Sequence, residues 1–352
     1  MHRVLVTGVG GNVAQGVIKA LRAGKRPYYI VGIDMEPLSV GFSLVNSHYV
    51  TARTGDFAFK EQLFAILKQE RIEAIYVCSP GELGFFSQFQ NEIEATGAAV
   101  FVNPPDVVRI GSDKLLTVRF LKENGFCFPA SVEAADGDGV KALINAYGFP
   151  LLLKPRAGFT SKNVFIVRSL EEIRAANILV PDLIAQRYLP DHSREYTAGT
   201  VSGADKKVRA VIVLHRDINQ GTTYRTELVE DPALSVQVAK IVEALGSVGV
   251  CNLQFRLCDG QLYVFEINPR FSGTCGIRYL YGFNDAELVF DLIKLKIDVN
   301  QPGLSKGVVL RYWNEIFIGD EDFSGMKEGS RPHRGLQTVI KGPVATAPQR
   351  KK

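Results

Sequence analysis

Tryptophan occurs once in the 352 residues, methionine three times, and none of the five histidines stands four residues from another. A histidine-based metal site is therefore not expected. Cysteine is equally sparse. Cys78, Cys127, Cys251, Cys258 and Cys275 include no CxxC pair and their number is odd, which favours free buried thiols over disulfides or zinc. No apolar run reaches membrane-spanning length. The opening "MHRVLVTGVGG" runs straight into a strand pattern without a charged-then-apolar leader. The expectation is a cytoplasmic protein with no membrane partner. What is present is ordinary: 46% hydrophobic and 22% charged residues, in a length that suits one large or two to three small domains.

The net charge of +4 is unevenly spread. Residues 327 to 352 hold seven Lys or Arg and one acid, whereas the rest holds 34 basic and 36 acidic residues. The body is thus slightly acidic and the basicity belongs to a Gly- and Pro-rich tail, expected to be disordered. No aromatic residues interleave with that charge, so a nucleic-acid partner is not expected.

Strand and helix patterns alternate from residue 1 to about 105, as in "RVLVTGV", "VAQGVIKALRAG", "YYIVGIDM" and "IEAIYVCS". Such alternation predicts βαβ units and a parallel sheet. "NPPDVVRIGSDK" reads as a linker with turn chemistry. Short strands with the helices "GVKALINAYG" and "LEEIRAAN" follow to about residue 195. Longer strands and the helix "PALSVQVAKIVEALG" come after. The expected fold class is α/β followed by α+β.

The stretch "VCNLQFRLCDGQLYVFEINPR" reads as a hairpin around Asp259-Gly260. Alternation along its second strand puts Glu266, Asn268 and Arg270 on one face. A two-residue turn would leave Gln254 on the opposite face, whereas a three-residue loop from Cys258 to Gly260 would bring it beside Glu266. The odd loop is expected, because Gln254 then completes an oxygen-rich cluster suited to Mg²⁺. Arg270 is placed to grip phosphate with its planar fork. The bland reading is a solvated surface hairpin. Leu262, Val264 and Phe265 argue against it, since they imply burial on both faces.

"NLQF" with "DGQLYVFEINPRFSG" resembles the metal-binding hairpin of ATP-grasp ligases, nearest to the large chain of carbamoyl phosphate synthetase and its single-module relatives. The resemblance runs from about Val4 to Phe323. It implies an N-terminal Rossmann-like domain (1–110), a linker helix with a small lid (111–195), a larger core carrying the metal site (196–326) and the basic tail (327–352). It implies ATP and Mg²⁺ as cofactors. By the same resemblance Lys114 and Lys154 reach ATP phosphate, and Ser161 donates from a loop that holds only one glycine, Gly158. Gln186 and the backbone near Tyr188 and Leu189 hold the adenine, and Glu195 accepts from ribose. Arg270 would stabilise the transferring phosphoryl group.

The acceptor side is less explicit. Glu82 follows a parallel strand, where ligands bind in such sheets. It is a candidate for a substrate amine, or simply a helix N-terminal acid. Arg278 is a candidate partner for a substrate carboxylate, and Arg216 and Arg225 for phosphate or substrate. The turn "GVGGNVAQG" with Asp34 is similar to a dinucleotide fingerprint, but Val13 stands where the third glycine belongs, so the turn reads as structural. The reaction implied is an ADP-forming joining of a small carboxylate to an amine through an acyl phosphate. Three alternatives stand beside it: phosphorylation of bicarbonate or carbamate, an NAD-dependent oxidoreductase, and a non-catalytic nucleotide-binding module.

Overall fold

The computed structural model describes residues 1–158, 163–189, 195–312 and 314–327. Ser161, expected in the nucleotide site, lies outside them. Among the described residues no helix is long and apolar enough to cross a membrane.

The first strand, β1 (His2–Thr7), carries Val4, Leu5 and Val6 with no exposed surface. A strand buried on both faces needs cover on both, which is the parallel-sheet arrangement. β1 pairs with β2 (Tyr28–Asp34) and β4 (Ala74–Tyr76), and β3 (Ser47–Val50) and β5 (Ala99–Phe101) close the edges. The order is β3-β2-β1-β4-β5, all parallel. The order reverses direction at β1, and ligands bind at the carboxyl ends of strands beside such a point. Helix α1 (Asn12–Ala23) buries Ala14, Val17, Ile18 and Leu21 on one face. Helix α2 (Phe57–Glu70) covers the sheet with Phe59 and Leu63. Two short helices follow β4: α3 (Leu83–Gln88) and α4 (Gln90–Glu94).

The segment expected to be a linker is helical. Pro105–Ser112 forms α5, followed at once by α6 (Lys114–Glu123). A proline at the first helical position is tolerated because its missing N–H would have no partner there. Val107 and Val108 then fall one turn into the helix and are buried. Asp113 caps α6 by accepting from the N–H groups of Leu115 and Leu116 at 2.8 and 3.2 Å. Phe120 and Leu121 of α6 pack with Leu253 and Val264 in the core of the large sheet. Within the segment expected as linker helix and lid (111–195), a small antiparallel unit runs from β6 (Ser131–Glu133) through α7 (Gly137–Tyr147), β7 (Leu151–Pro155), β8 (Phe165–Val167) and α8 (Leu170–Leu179) to β9 (Leu183–Arg187). Its antiparallel sheet has the order β6-β9-β7-β8 and its own apolar core.

The large sheet is antiparallel. It contains β10 (Glu195–Ser202), β11 (Val208–Asn219), β12 (Thr222–Leu228), β13 (Gly249–Cys258), β14 (Gln261–Asn268) and β15 (Val308–Leu310), in the order β14-β13-β10-β11-β12-β15. Helix α9 (Pro232–Leu245) covers one face, and α10 (Cys275–Arg278) and α11 (Asp285–Val289) follow β14. A last helix, α12, spans Asp320–Lys327.

Two close approaches hold the parallel domain against this sheet. Gly16 of α1 meets Gly276 of α10 so tightly that a Cβ at Gly16 would lie 2.8 Å from the Gly276 nitrogen. Asn103, buried just after β5, donates to the carbonyls of Val250 (2.9 Å) and Pro269 (3.0 Å). Its own carbonyl accepts from Ser247 Oγ (2.8 Å) and Val248 N–H (2.9 Å). One amide thus satisfies two buried donors and two buried acceptors across the domain boundary. Asn103→Ala strands them, and urea unfolding is expected to show a loss of roughly 3 kcal/mol; a loss under 0.5 kcal/mol would contradict this role.

Candidate active site

The polar ribbon is built by β13 and β14. Its turn has two residues: Cys258 pairs with Gln261, and Asp259 and Gly260 take φ values of +51° and +73°. The three-residue loop expected from the sequence is not there. Gln254 nevertheless pairs with Glu266, because the register shifts by one between Gln254 and Phe255. Phe255 faces Val264, so Phe265 is an extra residue on β14, a β-bulge. The bulge restores the parity that the short turn would have broken.

On this face Glu266 Oε1 accepts from Asn268 Nδ2 at 2.8 Å, and Asn268 Oδ1 accepts from Arg270 at 3.0 Å. Arg270 also donates to the Phe271 carbonyl at 2.7 Å. Burial lowers the Arg270 pKa, and Glu266 opposes the shift. Gln254 Oε1 accepts from Arg216 at 2.8 Å. Among the described residues no hydrogen bond reaches the second oxygen of Glu266. One open carboxylate oxygen with amide oxygens beside it is a hard donor set, which fits a divalent cation that also takes phosphate oxygens. Gln254 and Asn268 each share their oxygen with an arginine, so Glu266 is the anchor of that set. Among the described residues no cluster of three His, Cys, Asp or Glu offers another metal site.

Two lysines stand against this ribbon. Lys154 of β7 is buried, and its Nζ donates to the carbonyl of the bulged Phe265 at 3.4 Å. Burial brings its pKa down to about 8, although Glu266 pulls the other way. Lys114, the first residue of α6, donates to the carbonyls of Arg156 (3.4 Å) and Gly158 (3.2 Å). Its pKa is also lowered by burial and raised in part by Glu266.

Gln186 of β9 is buried, donates to Ser131 Oγ at 2.8 Å, and lines the cleft with Tyr188 and Leu189. The Leu189 carbonyl is taken by Arg256. Glu195 sits between two arginines, with Oε1 2.6 Å from Arg216 and Oε2 2.8 Å from Arg256. Burial raises its pKa, but the Arg216 and Arg256 charges outweigh this and hold the carboxyl below its usual range. Glu195, expected to accept from ribose, reaches the cleft wall with each oxygen also paired to an arginine.

These groups line one cavity of about 1510 Å³. Small-molecule pockets usually span roughly 300–1,000 Å³, so this one has room for more than one ligand. It continues to the carboxyl edge of the parallel sheet, where Gly8, Asp34, Ser79 and Glu82 line it. Asp34 closes the first turn: it accepts from Gly10 N–H (2.7 Å), Glu36 N–H (3.0 Å) and Ser39 Oγ (3.2 Å). Glu82 accepts from Thr7 Oγ1. Burial, with Asp34 adding repulsion against the Thr7 hydrogen bond, pushes the Glu82 pKa up to about 7.

Two expected residues are not brought to the site. Arg225 is exposed on β12, paired with Glu227 and 3.6 Å from Asp217. It pairs with Asp217, next to a register shift, and so shares that residue's face, opposite to Arg216. Arg278 is 1% exposed and locked to Asp285 at 2.8 Å, with Asn252 and Ser272 as further acceptors. Gly199 makes room for it, since a Cβ there would lie 2.3 Å from the guanidinium carbon. A buried arginine with its own carboxylate is a structural pair. Four arginines of the cavity, Arg53, Arg187, Arg256 and Arg311, were not foreseen. Arg256 was within reach of the sequence, standing two positions from Gln254 on the same strand. Arg311 had no such signal, because its place depends on β15 joining β12.

Known proteins give the same architecture. A family model described as "ATP-grasp in the biosynthetic pathway with Ter operon" matches residues 179–316. The carbamoyl phosphate synthase large chain of Gemmatimonas aurantiaca is 24% identical over 296 residues, which is 77% of this chain and 26% of that one. The arginine-specific large chain of Geobacillus stearothermophilus is also 24% identical, over 78% of this chain and 28% of the relative. The chain thus spans about a quarter of the length of these curated relatives. Among solved structures, N5-carboxyaminoimidazole synthetase from Staphylococcus aureus, complexed with ADP, superposes with a TM-score of 0.68. The identity is 17%, covering 86% of this chain and 80% of that one. The biotin carboxylase domain of Hydrogenobacter thermophilus 2-oxoglutarate carboxylase gives 0.65 at 16% identity, covering 86% and 71%. The fold class is α/β and α+β with a Rossmann-like first domain, and the chain carries an ATP-grasp domain.

The Glu82 carboxyl sets a pH dependence. Its folded pKa of about 7 exceeds the ordinary 4.5, so the native state holds the proton between those values. Stability from Glu82 is complete below the lower value and is lost as pH rises through about 7. Glu82→Gln is expected to match wild type near pH 5 and exceed it at pH 8, by on the order of 2–3 kcal/mol in denaturant titrations. Parallel stability curves for the two proteins from pH 5 to 8 would contradict the assignment.

Proposed function

We propose that this chain is an ATP-dependent ligase that activates a small carboxylate as an acyl phosphate and joins it to an amine. The observation that carries the reading is the single cavity shared by Lys114, Lys154, Glu266 and Arg270 at one end and the parallel-sheet edge at the other. A cavity with cations at one end and a second binding edge at the other suits a phosphoryl donor and an acceptor together. The triphosphate would lie against Lys114 and Lys154, with Gln186 and the Tyr188–Leu189 backbone at the adenine. Glu266 and Asn268, assisted by Gln254, would hold Mg²⁺, which when bound offsets phosphate charge. A substrate carboxylate oxygen attacks the γ-phosphorus and the bond to ADP breaks. The amine nitrogen then attacks the acyl carbon, phosphate leaves with the C–O electron pair, and the nitrogen gives up a proton. Such chemistry rests on positioning and on charge complementarity to the transition state. Arg270 is assigned to the transferring phosphoryl group, and Glu82 to the incoming amine.

A second reading takes bicarbonate as the carboxylate. The similarity to carbamoyl phosphate synthase and to a carboxylase domain crystallised with bicarbonate supports it. A dinucleotide reading of the first turn is disfavoured, since Asp34 spends both oxygens on closing that turn.

The test is phosphate release from Mg-ATP across a panel of amino acids, amino sugars and bicarbonate, together with a thermal shift by Mg-ADP. Absence of any nucleotide shift would sink the ligase reading. Arg270→Ala is expected to lower kcat by roughly 10²–10³ with folding intact, and near-normal turnover would refute its role. Lys154 binds phosphate as the cation, and its pKa is about 8. Nucleotide affinity should therefore fall as pH rises above 8 and hold steady below it. In Lys154→Met the affinity should be weaker and the slope absent, as read by calorimetry.

A further inference from the structure

With Arg278 locked to Asp285, the carboxylate-binding role foreseen for it has no occupant, and Arg311 meets its requirements. Of the other cations of the cavity, Arg53 is exposed to solvent and the rest are engaged. Arg216 and Arg256 clamp Glu195, Lys114, Lys154 and Arg270 feel the charge of Glu266, and Arg187 lies over the rings of Tyr147 and Tyr263. Arg311 is part-buried in the cavity wall. Among the described residues no carboxylate lies within ion-pair distance of it. Its guanidinium donates to the Gly273 carbonyl alone among the described residues, and its backbone N–H to the Tyr224 carbonyl at 2.8 Å. Burial lowers its pKa, with no acid opposing. Four of its five N–H bonds therefore remain for a partner.

Its position is at the acceptor end. Gly273 abuts Asn12, the first residue of α1, closely enough that a Cβ on Gly273 would lie 2.9 Å from Asn12 Nδ2. Arg311 is thus held where the loop after β14 meets the glycine turn after β1. A part-buried guanidinium without a counter-charge is costly unless a ligand supplies one.

We infer that Arg311 is the specificity-determining contact for the substrate carboxylate, which it takes bidentately while the Gly273 carbonyl holds the guanidinium in place. Planar two-point pairing with a carboxylate is what the arginine fork offers and a lysine does not. The inference rests on the ligase reading.

The test is a thermal-shift titration of the full chain with Mg-ADP present. The probes are acetate, glycine, L-alanine, succinate, L-aspartate and L-glutamate, each against its carboxamide analogue. At least one carboxylate, but not its amide, is expected to stabilise the wild type. That binding should weaken roughly 10- to 100-fold in Arg311→Gln and less in Arg311→Lys. The Mg-ADP shift should survive in both variants, which also shows that they fold. Should Arg311→Gln fail to fold, the Arg311→Lys titration decides alone. The inference is overturned if no carboxylate stabilises the wild type, if amides serve equally, or if the variants bind the carboxylate as the wild type does. Loss of the Mg-ADP shift in the wild type would instead bring down the ligase reading.

Discussion

One surplus residue in a β-ribbon sets the chemistry of the whole cleft. Phe265 has no partner on β13, and by its insertion Gln254 and Glu266 come to share a face. Side chains along a strand alternate, so a single slip exchanges the two faces of everything beyond it. Without the bulge the two-residue turn would direct Gln254 to the opposite side from Glu266. The carbonyl of the bulged Phe265 receives the Lys154 ammonium. Ribbon, lid and buried lysine are thereby tied at one point. Leu262, Val264 and Ile267 remain in the core behind it.

Away from the parallel-sheet edge, each acid of the cleft serves several cations. Glu195 is divided between Arg216 and Arg256, and Glu266 bears on Lys114, Lys154 and Arg270. The cations around Glu195 and Glu266 exceed those two counter-charges, an imbalance that the polyanion of the proposed reaction would restore. Arg278 and Asp285 show the opposite case, a pair closed on itself and shut away from the cleft. The parallel domain contributes its carboxyl edge, and it does so at a fixed place. Asn103 and the Gly16–Gly276 contact leave little freedom between the first domain and the loop that follows the polar strand.

Much of this was legible in the residues. Alternating apolar runs announced the parallel sheet, and the lid's short strands were separable from the long ones that follow. The pattern Glu266, Asn268, Arg270 pointed to a polar face on a buried strand. The helix at 105–112 was not legible, because its prolines signal a turn and a helix start alike; only the burial of Val107 and Val108 separates the two. The three arginines proposed for substrate divided three ways. Arg216 joined the cleft, Arg225 faced solvent, and Arg278 went into the core.

The chain's sequence by itself determined the order of its elements, the faces of its strands and the residue types from which the site is assembled, since these depend on spacing along one segment. Only the tertiary structure decided the parity of the ribbon, the burial of Lys154, the pairing that withdraws Arg278 and the place of Arg311. Each of those turns on which distant strand or loop lies alongside, and a charge is free or spent according to neighbours that the local pattern does not name.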